Sequence, residues 1–220
     1  MGVAGTPMRI DIISDVVCPW CLIGWRQLGQ AIRETGIAAD IRWHPFELNP
    51  HMPAEGEPVA DHVRRKYGAS AEQSAATRAA MADIAAPLGI RFRPGIPERM
   101  WNTHQAHQLI HWARESGRQT ALAEELFAAH FERGERLADP HVLLSAVEAA
   151  GLDRDEAARV LESGAESAAV RAAEARFADL GVTGVPAIIL DERGLVMGAQ
   201  GPDTFARLIV RMVERRAATA

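Results

Sequence analysis

The segment Cys18-Pro19-Trp20-Cys21 lies where a buried strand, predicted over 8–15, passes into an amphipathic helix. It contains the only two cysteines among 220 residues. On a helix, positions three apart share a face, so the two sulfur atoms can meet without a large backbone movement. A cysteine at a helix start also lies beside unpaired N–H groups, which favour its thiolate. The spacing therefore predicts a redox-active dithiol at the start of a helix.

The residues around the dithiol predict a β-α-β unit. The helical pattern runs from Leu22 to about Glu34 and stops at Gly36, and alternating residues over 40–46 indicate a second strand. Such a unit joins two parallel strands through a crossover helix.

A block of helices then separates this unit from two more strands. Ser70 and Gln73 form a capping-box signature, and the only strand signal in the block is a weak one at Ile90-Arg91-Phe92. The predicted helices cover 70–88, 100–116, 119–133, 140–150, 154–163 and 166–180. Strands over 187–191 and 194–199 and a helix from about Pro202 complete the chain. This order predicts an α/β fold with a discontinuous core (8–50 plus 165–216) and an all-helical insertion domain (51–164).

Charge and hydropathy exclude several classes of function. A net charge of −5 and a pI near 5.9 give no sign of a nucleic-acid surface. No apolar stretch approaches the ~18 residues of a membrane span, and the N-terminus lacks the basic and apolar regions of a signal peptide. We therefore expect a cytoplasmic protein without membrane or nucleic-acid partners. In that compartment two cysteines indicate transient catalytic chemistry rather than a structural disulfide.

These features together resemble the DsbA family, in which a helical domain interrupts a thioredoxin fold. The resemblance is carried by the two cysteines, by Gly184-Val185-Pro186 before the third strand, and by the inserted helices. Two further segments, Phe46-Glu47-Leu48-Asn49-Pro50 and the helix around His104 and His107, resemble the cytoplasmic FrnE-type branch. Glutathione-dependent 2-hydroxychromene-2-carboxylate isomerases and kappa-class glutathione transferases are related families. They generally carry serine where this chain has Cys18, so both sulfurs together favour redox chemistry.

The position of each cysteine predicts its role. Cys18 lies nearer the helix start, so we expect it to be exposed and to attack a partner. Cys21 lies one turn further in, so we expect it to be more buried and to resolve the mixed disulfide. Asp15 is either a cap for the turn into the helix or a proton acceptor for Cys21.

Four residues are predicted to bind the substrate. The resemblance implies a cis bond between Val185 and Pro186, which would leave the Val185 backbone free to pair with an extended partner. Pro19 and Trp20 lie between the sulfurs and would flank that partner; Trp20 is equally consistent with a lid over Cys21.

Three histidines, His104, His107 and His111, fall in one sector of the helix predicted over 100–116, opposite its apolar stripe. They are candidates for the lining of an active-site cleft, for a solvated or hydrogen-bonded face, or for a metal site. We expect no metal, because histidine ligands usually have carboxylate or thiolate partners at defined spacing.

The sequence therefore predicts a thiol–disulfide oxidoreductase that acts on a thiol or disulfide of a protein or a small molecule. No cofactor is expected to be required, and glutathione is a candidate co-substrate. Two alternatives stay open: a glutathione-dependent isomerase or transferase on the same fold, and a non-catalytic binding module that carries a metal on the histidines.

Overall fold

A four-stranded sheet forms the centre of the fold. The computed structural model describes residues 6–92, 95 and 97–219. Its strands are β1 (Met8–Ser14), β2 (Ala39–Pro45), β5 (Ala187–Leu190) and β6 (Gly194–Met197). Their spatial order is β2-β1-β5-β6, with β1 parallel to β2 and antiparallel to β5, and β5 antiparallel to β6.

The register brings two chain segments together at one end of the central strand pair. β1 is buried along most of its length, as expected for a central strand covered on both faces. Ile13 near the end of β1 is paired with Ala187 at the start of β5. The loop that leaves β1 and the loop that enters β5 therefore meet at this end.

Three helices cover the sheet. The helix α1 (Pro19–Thr35) follows β1 and packs against the last helix, α9 (Pro202–Thr219), while α8 (Ser167–Asp179) packs against β2. α1 is predicted from Leu22 but begins at Pro19, because proline is well accommodated in the first turn of a helix.

Between β2 and α8 the chain forms six α-helices within the described residues. These are α2 (Val59–Tyr67), α3 (Ala71–Ala85), α4 (His104–Trp112), α5 (Gln119–Ala128), α6 (Pro140–Ala149) and α7 (Arg154–Ser163). The predicted capping box at Ser70 and Gln73 is confirmed, and a 3₁₀ turn over Ala86–Leu88 extends α3. A π-helical turn over Ala129–Arg133 follows α5, where the sequence predicts one continuous helix.

The inserted segment also differs from the prediction in its strands. A two-stranded sheet of β3 (Glu57–Pro58) and β4 (Arg99–Met100) is present, and the weak strand signal at Ile90-Arg91-Phe92 is wrong. The N–H of Ile90 instead donates to the carbonyl of Ala85 (3.2 Å), and Ile90 is buried. An apolar residue just beyond a helix end commonly closes it in this way.

The helical segment contacts the open edge of β2. The Gln119 side chain accepts a hydrogen bond from Trp43 N–H (3.2 Å) and donates to the Trp43 carbonyl (3.2 Å). The indole N–H of Trp43 donates to Thr120 Oγ1 (3.0 Å). Gln119 thus satisfies edge groups that a fifth strand would otherwise pair.

The predicted α/β fold, with helices inserted between the two halves of a small sheet, is confirmed. The bounds proposed for the two domains stay a prediction. In the described ranges, each helix is either too short or too polar to cross a membrane.

Candidate active site

Cys18 and Cys21 occupy the start of α1, at the end of the sheet where β1 meets β5. Cys18 is the N-cap residue with an extended backbone (φ −92°, ψ 112°), Pro19 lies in the first turn, and Cys21 follows one turn further in. The two cysteines are free and approach to 3.4 Å. They are therefore close enough to form a disulfide with a small movement.

The expected exposure of Cys18 is wrong. Its relative exposure is 5%, against 1% for Cys21. The cause is the loop before β5, because Cys18 Sγ lies 3.8 Å from the Val185 carbonyl, to which it donates. The order of burial is nevertheless the expected one, since Cys21 is the deeper of the two.

Burial also controls the ionisation of the deeper cysteine. Loss of solvent and the neighbouring Cys18 raise the pKa of the Cys21 thiol well above its usual value. Hydrogen bonds from the Ser14 side chain and the Asp15 backbone to this sulfur lower the pKa of the thiol, but by less than burial and Cys18 raise it. Cys21 is therefore held as a neutral thiol at neutral pH.

The loop before β5 has the predicted cis bond between Val185 and Pro186. The Pro186 carbonyl accepts a hydrogen bond from Gly198 N–H (2.8 Å), which ties the loop to β6. On the other side, a Cβ added at Gly24 of α1 would lie 3.1 Å from Pro186 Cγ. The absence of a side chain at Gly24 thus lets the loop approach α1 closely.

Two exposed aromatic residues lie near the cysteines. Trp20 is 37% exposed, while Pro19 is half-buried. Tyr67 of α2 is more exposed than Trp20, and both its partial burial and the nearby charge of Cys18 raise the pKa of its hydroxyl. Sequence reasoning missed Tyr67, because 49 positions of chain separate it from Cys18 and no local pattern connects them.

Asp15 fixes the turn between β1 and α1. Its side chain is completely buried, and Oδ2 accepts a hydrogen bond from Leu48 N–H (2.8 Å). Oδ1 lies 3.5 Å from Val17 N, and its own carbonyl accepts from Cys18 N–H (3.0 Å). Asp15 therefore stabilises the turn, which agrees with the cap predicted for it.

The three predicted histidines lie on α4, but each has a different environment. His107 is buried, with Nε2 3.4 Å from Asp15 Oδ1. His104 and His111 are partly exposed, and His111 is paired with Glu166. The helix face that bears them thus supplies three separate carboxylate-paired histidines.

His104 belongs to a network that connects α4, α8 and the loop after β2. Its Nδ1 lies 2.9 Å from Glu47 Oε1, and its Nε2 lies 2.8 Å from Ser167 Oγ. Arg171 of α8 also donates to Glu47 Oε1 (2.6 Å). The Glu47 side chain is buried, so these partners offset the loss of its hydration.

A further histidine, His130, is completely buried in the π-helical turn after α5. Its two ring nitrogens have no hydrogen-bond partner among the described residues, and burial lowers its pKa to about 4. Sequence reasoning missed His130, since a lone histidine in a helical pattern carries no information on its burial. Over the ranges the structure describes, no cluster of three or more histidine, cysteine or carboxylate side chains is placed to hold a metal ion.

Comparisons with known proteins agree with this geometry. The family profile described as "DSBA-like thioredoxin domain" matches residues 9–210. YwbO of Bacillus subtilis (strain 168) is 26% identical over 204 residues, covering 92% of this chain and 96% of YwbO. The crystal structure of a probable DsbA oxidoreductase, SCO1869 from Streptomyces coelicolor, superposes with a TM-score of 0.84 and 32% identity, covering 93% and 89% of the two chains.

A more distant similarity in fold is to the cytosolic disulfide reductase DsbM from Pseudomonas aeruginosa, solved with GSH. The TM-score is 0.66 and the identity 19%, over 94% of this chain and 99% of DsbM. The profile match spans nearly the whole chain, including both cysteines and the loop with the cis bond. The chain belongs to the family of DSBA-like thioredoxin domains.

Proposed function

We propose that the protein is a thiol–disulfide oxidoreductase in which Cys18 exchanges disulfides with a partner and Cys21 resolves the mixed disulfide. The observation that carries this proposal is the 3.4 Å approach of two free cysteines whose environments differ. Cys18 lies at the positive end of α1, which stabilises negative charge, whereas Cys21 is held as a neutral thiol. Cys18 is thus suited to attack the substrate, and Cys21 to react only after the mixed disulfide has formed.

In the reducing direction, the Cys18 thiolate attacks one sulfur of a substrate disulfide. The substrate bond breaks, and its other sulfur leaves with the electron pair. Cys21 loses its proton and attacks Cys18 Sγ, which forms the Cys18–Cys21 disulfide and releases the second substrate thiol. The enzyme dithiol is oxidised and the substrate disulfide reduced; the oxidising direction is the reverse.

The partner is a thiol or disulfide of a protein or a small molecule, and its chain lies along the loop at Val185 and Pro186. The Val185 carbonyl faces Cys18 Sγ, so a segment that binds there places its own sulfur beside Cys18. Trp20, Pro19 and Tyr67 provide an aromatic and apolar border for it. The reaction requires no cofactor.

Glutathione is the small thiol that we propose as co-substrate. The similarity in fold to DsbM, a structure solved with GSH, supports this. Since DsbM is described as cytosolic, the same similarity supports a cytoplasmic location.

Insulin reduction with glutathione as the electron donor tests the proposal. Cys18→Ser removes the attacking sulfur, so we expect loss of activity. Cys21→Ser keeps the first step and should accumulate a mixed disulfide on Cys18, visible as a mass increase that dithiothreitol reverses. Each variant is the control for the other, because both remove one buried sulfur from the same helix.

The contrary result is activity that survives Cys18→Ser. Full turnover of a glutathione-requiring small molecule by that variant would instead support the isomerase or transferase alternative.

A further inference from the structure

Ser167, His104 and Glu47 form a hydrogen-bonded chain that the disulfide chemistry does not use. Ser167 is the first residue of α8, His104 is the first residue of α4, and Glu47 lies in the loop after β2. Ser167 Oγ lies 2.8 Å from His104 Nε2, and His104 Nδ1 lies 2.9 Å from Glu47 Oε1. A hydroxyl, an imidazole and a carboxylate joined in this order are the three parts of a catalytic triad.

The carboxylate determines which nitrogen of the His104 ring carries the proton. Glu47 Oε1 also accepts a hydrogen bond from Arg171 (2.6 Å), and an ionised carboxylate can only accept. The ring therefore donates from Nδ1 to Glu47 and presents the lone pair of Nε2 to the Ser167 hydroxyl. The hydroxyl thus donates to the nitrogen that takes its proton when a serine acts as a nucleophile.

The reacting end of this chain faces solvent. The Glu47 side chain is 1% exposed, whereas His104 and Ser167 are half-buried. In the first turn of α8, the N–H groups of Ala168 and Ala169 have no partner among the described residues. They are donors beside the hydroxyl for the negative oxygen that forms when an alkoxide attacks a carbonyl.

Other charged groups around the serine already have partners. Glu166, which precedes Ser167, is paired with His111, and Arg171 also contacts Glu174 (3.2 Å). Glu166 thus has a histidine of its own, and the base in contact with the Ser167 hydroxyl is the His104 ring.

We propose that Ser167 is a nucleophile activated by His104, with Glu47 as a positioning residue, and that this second site hydrolyses esters of short carboxylic acids. The flanking residues Ala165 and Ala168 are small and exposed, so they admit a short acyl group and supply little apolar surface to a long one. The site shares no side chain with the dithiol, so the inference does not depend on the proposed disulfide exchange.

The reaction balances with water as the co-substrate. Ser167 Oγ bonds to the ester carbonyl carbon while its proton passes to His104 Nε2. The bond from that carbon to the alcohol oxygen breaks, and the leaving alcohol takes the proton from His104. Water then attacks the acyl-serine with His104 again as the base, which releases the carboxylic acid and restores the hydroxyl.

A biotinylated fluorophosphonate, which phosphonylates activated serines, tests the nucleophile. We expect the folded wild type to be labelled on Ser167, as located by peptide mass spectrometry, and heat-denatured protein to stay unlabelled. Ser167→Ala should lose the label. His104→Gln keeps a side-chain N–H for Glu47 but removes the base, so its labelling should slow on the order of 100-fold.

Ser163→Ala is the matched control, since Ser163 is an exposed serine near the start of α8 whose hydroxyl donates to the Arg159 carbonyl (2.7 Å). It should be labelled on Ser167 at the rate of the wild type. Glu47→Gln should slow labelling, and Glu47→Asp, which keeps a carboxylate, should recover part of the rate. Equal rates for these two Glu47 variants would contradict the positioning role.

Turnover is measured with p-nitrophenyl acetate on the variant Cys18→Ala, Cys21→Ala, because free thiols also react with this ester. We expect sustained release of nitrophenolate that the further change Ser167→Ala abolishes, and slower release from p-nitrophenyl decanoate. An unlabelled Ser167 in the folded wild type, equal labelling in wild type and His104→Gln, or no turnover would each overturn the inference. If His104→Gln does not fold, the wild-type label and its loss in Ser167→Ala decide.

Discussion

The buried histidines differ in whether a carboxylate accompanies them. Three lie beside one: His44 with Asp11, His62 with Glu57 and His107 with Asp15. His130 has none in hydrogen-bond range among the described residues, and its ring packs against Phe131 with the ring centroids 4.7 Å apart. Because no hydrogen bond compensates its burial and the charge of Asp15 offsets it only in part, charging this ring is costly in the folded protein.

His130 should therefore destabilise the protein as the pH falls. Its pKa is lowered from 6.5 to about 4 on folding, so the unfolded chain binds the proton first, and stability is lost from about pH 6.5 downward. By thermodynamic linkage, this group alone lowers the free energy of unfolding by about 2 kcal/mol between about pH 7 and pH 5. We expect His130→Leu to reduce the acid-induced loss in the free energy of unfolding, measured with urea, by that amount.

His141→Leu is the control for this prediction, because His141 is exposed at the start of α6. It should keep the pH dependence of the wild type. A His130→Leu variant with the same acid sensitivity as the wild type would contradict the prediction.

At the residue scale, local motifs predicted the reacting atoms but not their surroundings. The sulfur spacing follows from one short segment, and the cis bond before Pro186 follows from the resemblance to the DsbA family. The burial of Cys18, the approach of Tyr67 and the pairing of His107 with Asp15 depend on segments far apart in the chain. No periodicity or spacing within one segment carries that information.

At the scale of elements, long helices with one apolar face were predicted within a few residues, whereas α2 and the β3–β4 pair were missed. The helix α2 has only nine residues, and its apolar stripe of Val59, Val63 and Tyr67 spans just two turns, which is too short a pattern to identify a helix. Strands of two residues are too short for an alternating pattern. The misplaced strand at Ile90 arose because its apolar side chain closes a helix end.

The element that links fold and site is α1, which carries both cysteines and contacts the loop at Pro186 through Gly24. Gly24→Ala should reduce activity, because the new methyl group at 3.1 Å from Pro186 Cγ pushes the loop away from Cys18. Alanine gains about 1 kcal/mol in helix propensity, which offsets the crowding. We expect several-fold lower kcat/KM in insulin reduction with little change in stability.

Gly29→Ala tests the same substitution on the same helix without the loop contact. A Cβ there would meet only Arg33 Nη1, at an ordinary 3.5 Å. This variant should gain about 1 kcal/mol in stability and keep full activity. Equal activities for the two variants would show that the Gly24 contact does not position the loop.

At the scale of the whole molecule, one continuous buried cluster joins the sheet and the inserted helices. It contains Ile10 and Ile12 of β1 together with residues of the insertion such as Leu109 and Leu126. Because this apolar surface is shared, we expect the two regions to unfold in a single transition.

Gln119 provides a test of that coupling, since its side chain is hydrogen bonded to the Trp43 N–H and carbonyl and to the Ile110 carbonyl (2.9 Å). Gln119→Leu keeps the size of the side chain but leaves these buried groups without a hydrogen bond. Each buried group that stays unpaired costs about 1–3 kcal/mol of stability. We expect the free energy of unfolding to fall by about 3 kcal/mol with an unchanged denaturant slope. Urea unfolding followed by both tryptophan fluorescence and circular dichroism measures it.

Gln30→Leu, which breaks only a surface bond to Glu34, should change stability by less than about 0.5 kcal/mol. Two separate transitions in the wild type, or equal effects of the two variants, would mean that the edge of β2 does not couple the insertion to the sheet.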